Sequence, residues 1–252
     1  MNTKPIYKFL AAILKAVYPK VEAVGTENIP NEPVIIVGNH CQLHGPIACE
    51  FYSPVKRRTW VAGATTNYKE CPSYAYEDFW SQKPKYQLPF FKVISYVVTP
   101  LLVLINTNAE TIPVYRDKRI FSTFKRTVSC LEGGDSIVIF PEHDKKHNNI
   151  VYDFQDKFID VARLYHKKTD KELSFVPLYI APKLKKMCYG KPIRFNASAP
   201  IDEERERIRV YLMSEITDTA VSLELHTVVP YRNIPKKYYP LNKEADNEKA
   251  RC

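Results

Sequence analysis

Two short stretches hold most of the side chains able to do chemistry. Asn39-His40-Cys41-Gln42-Leu43-His44-Gly45 follows the apolar run Val34–Val37, and Glu142-His143-Asp144-Lys145 follows Ile137–Phe140. An imidazole that is neutral at pH 7 can take a proton from a hydroxyl, so His40 is the candidate base. Between the two stretches, Ile112-Pro113-Val114-Tyr115 ends in Arg116, whose guanidinium fork suits a phosphate or carboxylate. A second chemistry is open to the same residues. His40 and His44 are four apart, as are His143 and His147. With Glu142 and Asp144 they make a donor set suited to zinc or another divalent transition metal, if the two loops meet. Cys41 beside His40 is read as packing, because neighbours at a strand end point to opposite sides and make an awkward dyad.

These groups need strands to aim them. Val34–Val37, Thr111–Tyr115, Ser136–Phe140 and Leu173–Ile180 read as short buried strands. Helical periods alternate with them over Ile47–Tyr52, Lys118–Leu131, Phe154–Lys168 and Asp202–Leu225. The alternation predicts an α/β fold with a mainly parallel central sheet flanked by helices. Groups that follow parallel strands share the carboxyl edge of the sheet, where open α/β folds bind ligands. Pro141–Asn149 reads as a polar loop.

Lys4–Tyr18 has the pattern of an amphipathic helix, with Ile6, Phe9, Leu10, Ile13, Leu14 and Val17 on one face and Lys4, Lys8 and Lys15 on the other. Such a helix lies in a membrane interface or packs its stripe on the domain's own core. Pro89–Ile105 is the most apolar run. It is shorter than the ~20 residues of a spanning helix and contains Pro100, so it is expected to be buried, groove-lining or membrane-dipping. Tyr74, Tyr76, Phe79 and Trp80 suit a wet apolar boundary or an aromatic core cluster. The expected organisation is an amphipathic helix over 1–20, a single α/β domain over 21–225 and a flexible, Pro-, Tyr- and Lys-rich tail over 226–252.

Of 252 residues 45% are hydrophobic and 26% charged, a globular composition. Lys and Arg number 37 against 28 Asp and Glu, a net +9, which favours anionic partners. The basic residues are dispersed and form no nucleic-acid motif, so no nucleic acid is expected. No glycine-rich dinucleotide or P-loop pattern occurs. Six cysteines without a C-x-x-C pair predict a reduced, cytosolic protein. The N-terminal apolar run carries lysines and lacks a cleavage site, so no signal peptide is expected.

Four motifs, in order and over about Pro30 to Phe195, resemble the glycerolipid acyltransferase family. Asn39-His40 is similar to motif I, Asn-His, four residues, then Asp, with Gly45 at the aspartate position. Ile112-Pro113-Val114-Tyr115-Arg116 is similar to motif II, Gly-x-Ile-Pro-Val-x-Arg, with Glu110 for the glycine. Phe140-Pro141-Glu142 is similar to motif III, Phe-Pro-Glu-Gly-Thr-Arg, with His143-Asp144-Lys145 for its second half. Phe175-Val176-Pro177-Leu178-Tyr179-Ile180 is similar to the Val-Pro strand of motif IV.

The resemblance implies transfer of a fatty acyl chain from acyl-CoA or acyl-carrier protein to the hydroxyl of a lysophospholipid or glycerol-phosphate acceptor, in phospholipid biosynthesis. No bound cofactor is implied. The implied place is the cytoplasm, peripheral to the inner face of the membrane. His40 would be the base, with Arg116, Lys145 and Asn39 binding substrate and Glu142 ordering the acceptor or the cations. The family's aspartate orients the imidazole, and Gly45 cannot. In a related triad the loss of an orienting carboxylate costs about 10⁴ in turnover. One expectation is therefore that Asp144 or Glu142 takes over the orientation of His40. The alternatives are a lipid- or carrier-binding protein that has lost catalysis, and the histidine-rich metal site.

Overall fold

The computed structural model describes residues 3–81 and 83–244. In chain order the elements are α1 (Lys4–Val17), β1 (Glu22–Val24), β2 (Ile35–Gly38), α2 (His44–Tyr52), β3 (Arg57–Ala62), α3 (Cys71–Ala75), α4 (Leu88–Asn108), β4 (Ile112–Val114), α5 (Ile120–Glu132), β5 (Ser136–Ile139), β6 (Glu142–Lys146), β7 (Tyr152–Phe154), α6 (Asp160–Thr169), β8 (Ser174–Ala181), β9 (Lys186–Tyr189), β10 (Ile193–Arg194) and α7 (Ile201–Ser222). The fold is α/β with mostly parallel strands flanked by helices, as the alternation predicts. The chain divides into two compact units, Met1–Tyr18 with Arg58–Arg126, and Pro19–Arg57 with Thr127–Cys252.

The second unit holds the strand order β1-β9-β8-β2-β5. β2 is an inner strand, parallel to β5 on one side and to β8 on the other. Every residue of β2, β5 and β8 is buried. Strands covered on both faces become continuous apolar runs rather than alternating ones, which is why they stand out in the sequence. β9 and β10 pair antiparallel to β8. α7 adds Ile208, Leu212, Met213 and Ile216 to the core, and Asp202, Glu203 and Glu204 in its first turn suit the positive end of the helix dipole.

Two expectations change in this unit. The polar loop over Pro141–Asn149 is instead mostly strand: β6 and β7 form an antiparallel hairpin pairing Glu142 with Phe154 and Lys146 with Tyr152. The expected flexible tail is built into the unit as far as residue 244. His226, Val228, Val229 and Asn242 are buried, and Thr227 bridges Leu241. The remainder of that tail, 245–252 with Cys252, lies outside the described residues.

The first unit contains α1, α3, α4, β4 and most of β3, with β3 and β4 parallel. Its long helix α4 has 21 residues, about 31 Å of axis, so the apolar segment is longer than the sequence run suggested and stays helical through Pro100. Its polarity is inverted relative to a soluble core helix. Ser95, Thr99 and Val103 form its buried stripe, and the two hydroxyls donate to their own helix, to the carbonyls of Lys92 at 2.7 Å and Ser95 at 2.8 Å. Phe90, Val93, Tyr96, Val97 and Leu101 are exposed. The Thr3 hydroxyl and Asn108 amide join α1 to the end of α4 at 3.0 Å. No residue of α1 is buried, and Phe9 and Val17 are 66% and 72% exposed, so its stripe does not pack into a core.

Candidate functional site

The site grows from the carboxyl edge of β2. Asn39, the first residue past the strand, is 2% exposed. Its amide acts as an extra rung of sheet: Oδ1 accepts from the Ile180 N–H at 2.7 Å and Nδ2 donates to the Ile180 carbonyl at 3.1 Å. Both faces of the amide are engaged with β8, so Asn39 is a scaffold residue, not the substrate-binding group it was expected to be. Cys41 and Gln42 then take left-handed backbone angles, φ 40° and 57°, which few non-glycine residues adopt. They wind the chain back, so that the Gly45 N–H donates to the His40 carbonyl at 3.1 Å as α2 begins.

That turn explains Gly45. A Cβ there would stand 2.6 Å from the His40 carbonyl oxygen, 3.0 Å from the Phe140 ring and 3.1 Å from the Asn39 carbonyl oxygen. The position where the family pattern has its aspartate has room for no side chain.

Glu142, at the start of β6, is 4% exposed. Its Oε2 accepts the backbone N–H of His40 at 2.5 Å, and its Oε1 accepts the backbone N–H of Tyr152 at 2.8 Å. One carboxylate thus ties the His40 turn to both strands of the hairpin. Burial raises its pKa from 4.5 to about 7, against the two backbone hydrogen bonds that pull it down. Glu142 grips the backbone of His40 and not its ring, so the expectation that it orients the imidazole is corrected to one of holding the turn.

The His40 ring is placed by packing. It meets the Phe140 ring edge-on at 5.3 Å and the Tyr231 ring edge-on at 5.8 Å. Its Nδ1 is buried and has no hydrogen-bond partner among the described residues. Burial lowers its pKa from 6.5 to about 4, while a backbone hydrogen bond with Gln42 pulls the other way. The imidazole is therefore neutral at pH 7.

The other expected residues are not gathered on the ring. Asp144 is 79% exposed and faces Arg232 at 3.7 Å; no hydrogen bond joins it to His40, so it does not replace the missing aspartate. His143 turns to Asp153 at 3.3 Å, and Lys145 is 76% exposed, 3.9 Å from the same carboxylate. Alternate residues of β6 face opposite sides, which sets His143 and Lys145, both near Asp153, on the face away from Glu142; Asp144 is drawn to Arg232 instead. Among the described residues no three of His, Cys, Asp and Glu converge as metal ligands, so His40, His44, His143 and His147 do not form the alternative metal set. Arg116 is exposed two residues past β4, in the first unit.

Three neighbours of His40 escaped the sequence reading. Phe140 was legible as the end of a strand and the first residue of the motif III resemblance, not as a ring set against His40. Tyr231 lay in the supposed tail, and its ring also meets Tyr152 at 5.6 Å. Gln42 donates to the Tyr239 hydroxyl at 2.9 Å. The aromatic richness of the C-terminal segment was the available signal.

No family model and no curated protein sequence matches the chain. Among solved structures it is similar to the crystal structure of the 1-acyl-sn-glycerophosphate (LPA) acyltransferase PlsC from Thermotoga maritima. The two share 14% identity over 88% of this chain and 81% of that one, at a TM-score of 0.49. Likeness at that level identifies neither a substrate nor a catalytic residue.

Proposed function

We propose that this chain transfers an acyl group from a thioester, of CoA or a carrier protein, to the hydroxyl of a lysophospholipid or glycerol-phosphate-type acceptor at a membrane surface. The observation that carries this reading is His40. It is a neutral imidazole at the carboxyl end of the central buried strand, with its backbone clamped by the buried Glu142. In the step, His40 Nε2 takes the proton of the acceptor hydroxyl as that oxygen attacks the thioester carbonyl. The tetrahedral intermediate expels the thiolate, which receives the proton from the imidazolium. No bound cofactor is needed, because the thioester is already activated. The order of the four motifs supports the same chemistry.

The test is an acyl-transfer assay of the purified full chain over a panel of lysolipids with both donors. His40→Gln is expected to lower turnover by about 10²- to 10⁴-fold, the range of general-base catalysis. Equal turnover in His40→Gln overturns the assignment.

One observation favours a second reading, a lipid- or acyl-carrier-binding protein without catalysis. Nδ1 lacks the acceptor that would steady an imidazolium. Under that reading the native chain transfers nothing to any acceptor while binding persists.

The membrane surface is proposed from the first unit. α1 and α4 expose Phe9, Val17, Phe90, Val93 and Val97, and 17% of the apolar window within 85–108 is buried, so α4 is not a core helix. Residues 85–108 are long and apolar enough to cross a membrane by length and composition. With a net charge of +9, vesicles rich in anionic lipid are expected to bind the chain best, and less well as salt rises. Phe90→Glu with Val97→Glu changes exposed positions and is expected to abolish co-sedimentation with such vesicles without unfolding the protein. Unchanged co-sedimentation would remove the membrane from the account. The cytosolic face is part of the same proposal.

A further inference from the structure

Residues 227–241 form a closed loop. Thr227 and Leu241 meet in an antiparallel bridge, and the Val228 N–H donates to the Pro240 carbonyl at 2.9 Å. Asn242, wholly buried, locks the closure. Its N–H donates to the His226 carbonyl at 3.0 Å, and its Oδ1 accepts the His226 N–H at 3.0 Å. Its Nδ2 reaches the carbonyls of Ala220 at 2.8 Å and Glu224 at 3.2 Å, at the end of α7. The His226 ring is fixed in turn, with Nδ1 2.8 Å from the Glu224 carbonyl and Nε2 2.8 Å from the buried Tyr179 hydroxyl. Donation from Nδ1–H to the carbonyl leaves Nε2 to accept from the phenol. Pro230, Pro235 and Pro240 further restrict the loop. A loop closed at its ends and packed by its own side chains is of the Ω type, a class that often serves function.

Its middle reaches the His40 turn. Tyr231 meets the His40 ring edge-on, 82° between planes, and rests on Tyr152, whose N–H hangs on Glu142. Gln42 Nε2 donates to the Tyr239 hydroxyl at 2.9 Å and to the Arg232 carbonyl at 3.4 Å. The turn between β2 and α2 is therefore held from two sides, by the hairpin through Glu142 and by the loop through Tyr231 and Tyr239. Edge-to-face contacts at this range are individually small, yet two of them at steep angles hold a ring whose Nδ1 no hydrogen bond fixes.

We propose that the 227–241 loop is a wall of the His40 site and that Tyr231 is a positioning residue for His40, doing by packing what an orienting carboxylate would do by hydrogen bonding. The kinetic consequence rests on the acyl-transfer reading; the positioning itself does not. Nδ1 is buried and Tyr231 is one of the two rings set against the imidazole, so removing the Tyr231 ring is expected to let water reach that nitrogen.

The experiment follows the His40 imidazole by NMR against pH in the full-length protein and in Tyr231→Ala, Tyr231→Phe and Asn242→Ala. The native midpoint is expected near 4. Tyr231→Ala should raise it by at least one pH unit, Tyr231→Phe should restore it, and Asn242→Ala, by freeing the loop ends, should move it the same way as Tyr231→Ala. Asn242→Ala removes a buried residue and is destabilising; Tyr231 is partly exposed, and its substitution keeps the test available if Asn242→Ala does not fold. In the transfer assay, Tyr231→Ala should lower kcat by ~10²-fold with KM little changed, as expected for a misplaced base. A His40 midpoint that stays near 4 in folded Tyr231→Ala overturns the proposal. A midpoint that moves in a chain without transfer activity upholds the positioning and refutes acyl transfer instead.

Discussion

Gly45→Asp is expected to destabilise the protein by about 3 kcal/mol and to lower activity, not to repair it. The motif resemblance alone argues the reverse, since the substitution restores the family's residue. The turn decides the matter. A Cβ at 45 collides with the His40 carbonyl oxygen at 2.6 Å and comes within 3.0 Å of Phe140. The first is backbone and cannot rotate away. The left-handed pair Cys41 and Gln42 sets this path, so relief requires unwinding the turn that presents the base. Gly45→Ala should already show most of the loss. Chemical denaturation and the transfer assay on both variants check it, and a Gly45→Asp protein as stable as the native one and more active would show that the turn is wrongly understood.

The second large effect is at Glu142. Glu142→Ala strands the N–H groups of His40 and Tyr152, both satisfied by that carboxylate. A buried unsatisfied donor costs about 1–3 kcal/mol, so a loss of about 2–6 kcal/mol is expected. The pH dependence is more diagnostic. Glu142 has its pKa raised from 4.5 to about 7, so between those values the native state holds a proton the unfolded chain has lost, and stability falls as pH rises. His40 has its pKa lowered from 6.5 to about 4, so across that window the unfolded chain holds the extra proton, and stability rises with pH. Each effect is worth about 3 kcal/mol, and they nearly cancel in the native protein. Glu142→Gln should leave the His40 effect alone, with stability rising from pH 4 to 6.5. His40→Gln should leave the Glu142 effect, with stability falling from pH 4.5 to 7. Denaturation midpoints across this range, read for all three proteins, would show parallel profiles if the two groups were not buried as described.

The parts of this arrangement that could be read from sequence share one property: they are local and apolar. β2, β5 and β8 are buried on both faces, so each is an unbroken run of β-formers, and His40 and Glu142 could be placed at their carboxyl ends from chain order alone. What escaped depends on partners distant in sequence. Asn39 looks like a binding residue until Ile180 is seen against both faces of its amide. Glu142 looks like an orienting carboxylate, but it bonds to backbone groups, which sequence does not display. The β6–β7 hairpin is polar on its exposed residues and resembles a loop. The segment after His226 is rich in Pro, Tyr and Lys, as flexible tails are, and the few residues that dock it, Val228, Val229 and Asn242, are too sparse to form a period. For α4 the apolar content was visible but not the full length, and the inward Ser95 and Thr99 stripe shows only once the helix has neighbours. Gly45 is the sharpest case: read as the loss of a catalytic partner, it is the one residue type the turn can accommodate.

The central claim is that His40 is a base kept neutral and oriented by burial, without a carboxylate on its ring. The most direct measurement is the pH dependence of kcat/KM for acyl transfer, which reports the essential base of the free enzyme. Activity is expected to be carried by a group with an apparent pKa of about 4, so that the limb lost on acidification lies near that pH and vanishes with the activity in His40→Gln. A limb centred near 6.5, the value of an ordinary solvated histidine, would contradict it.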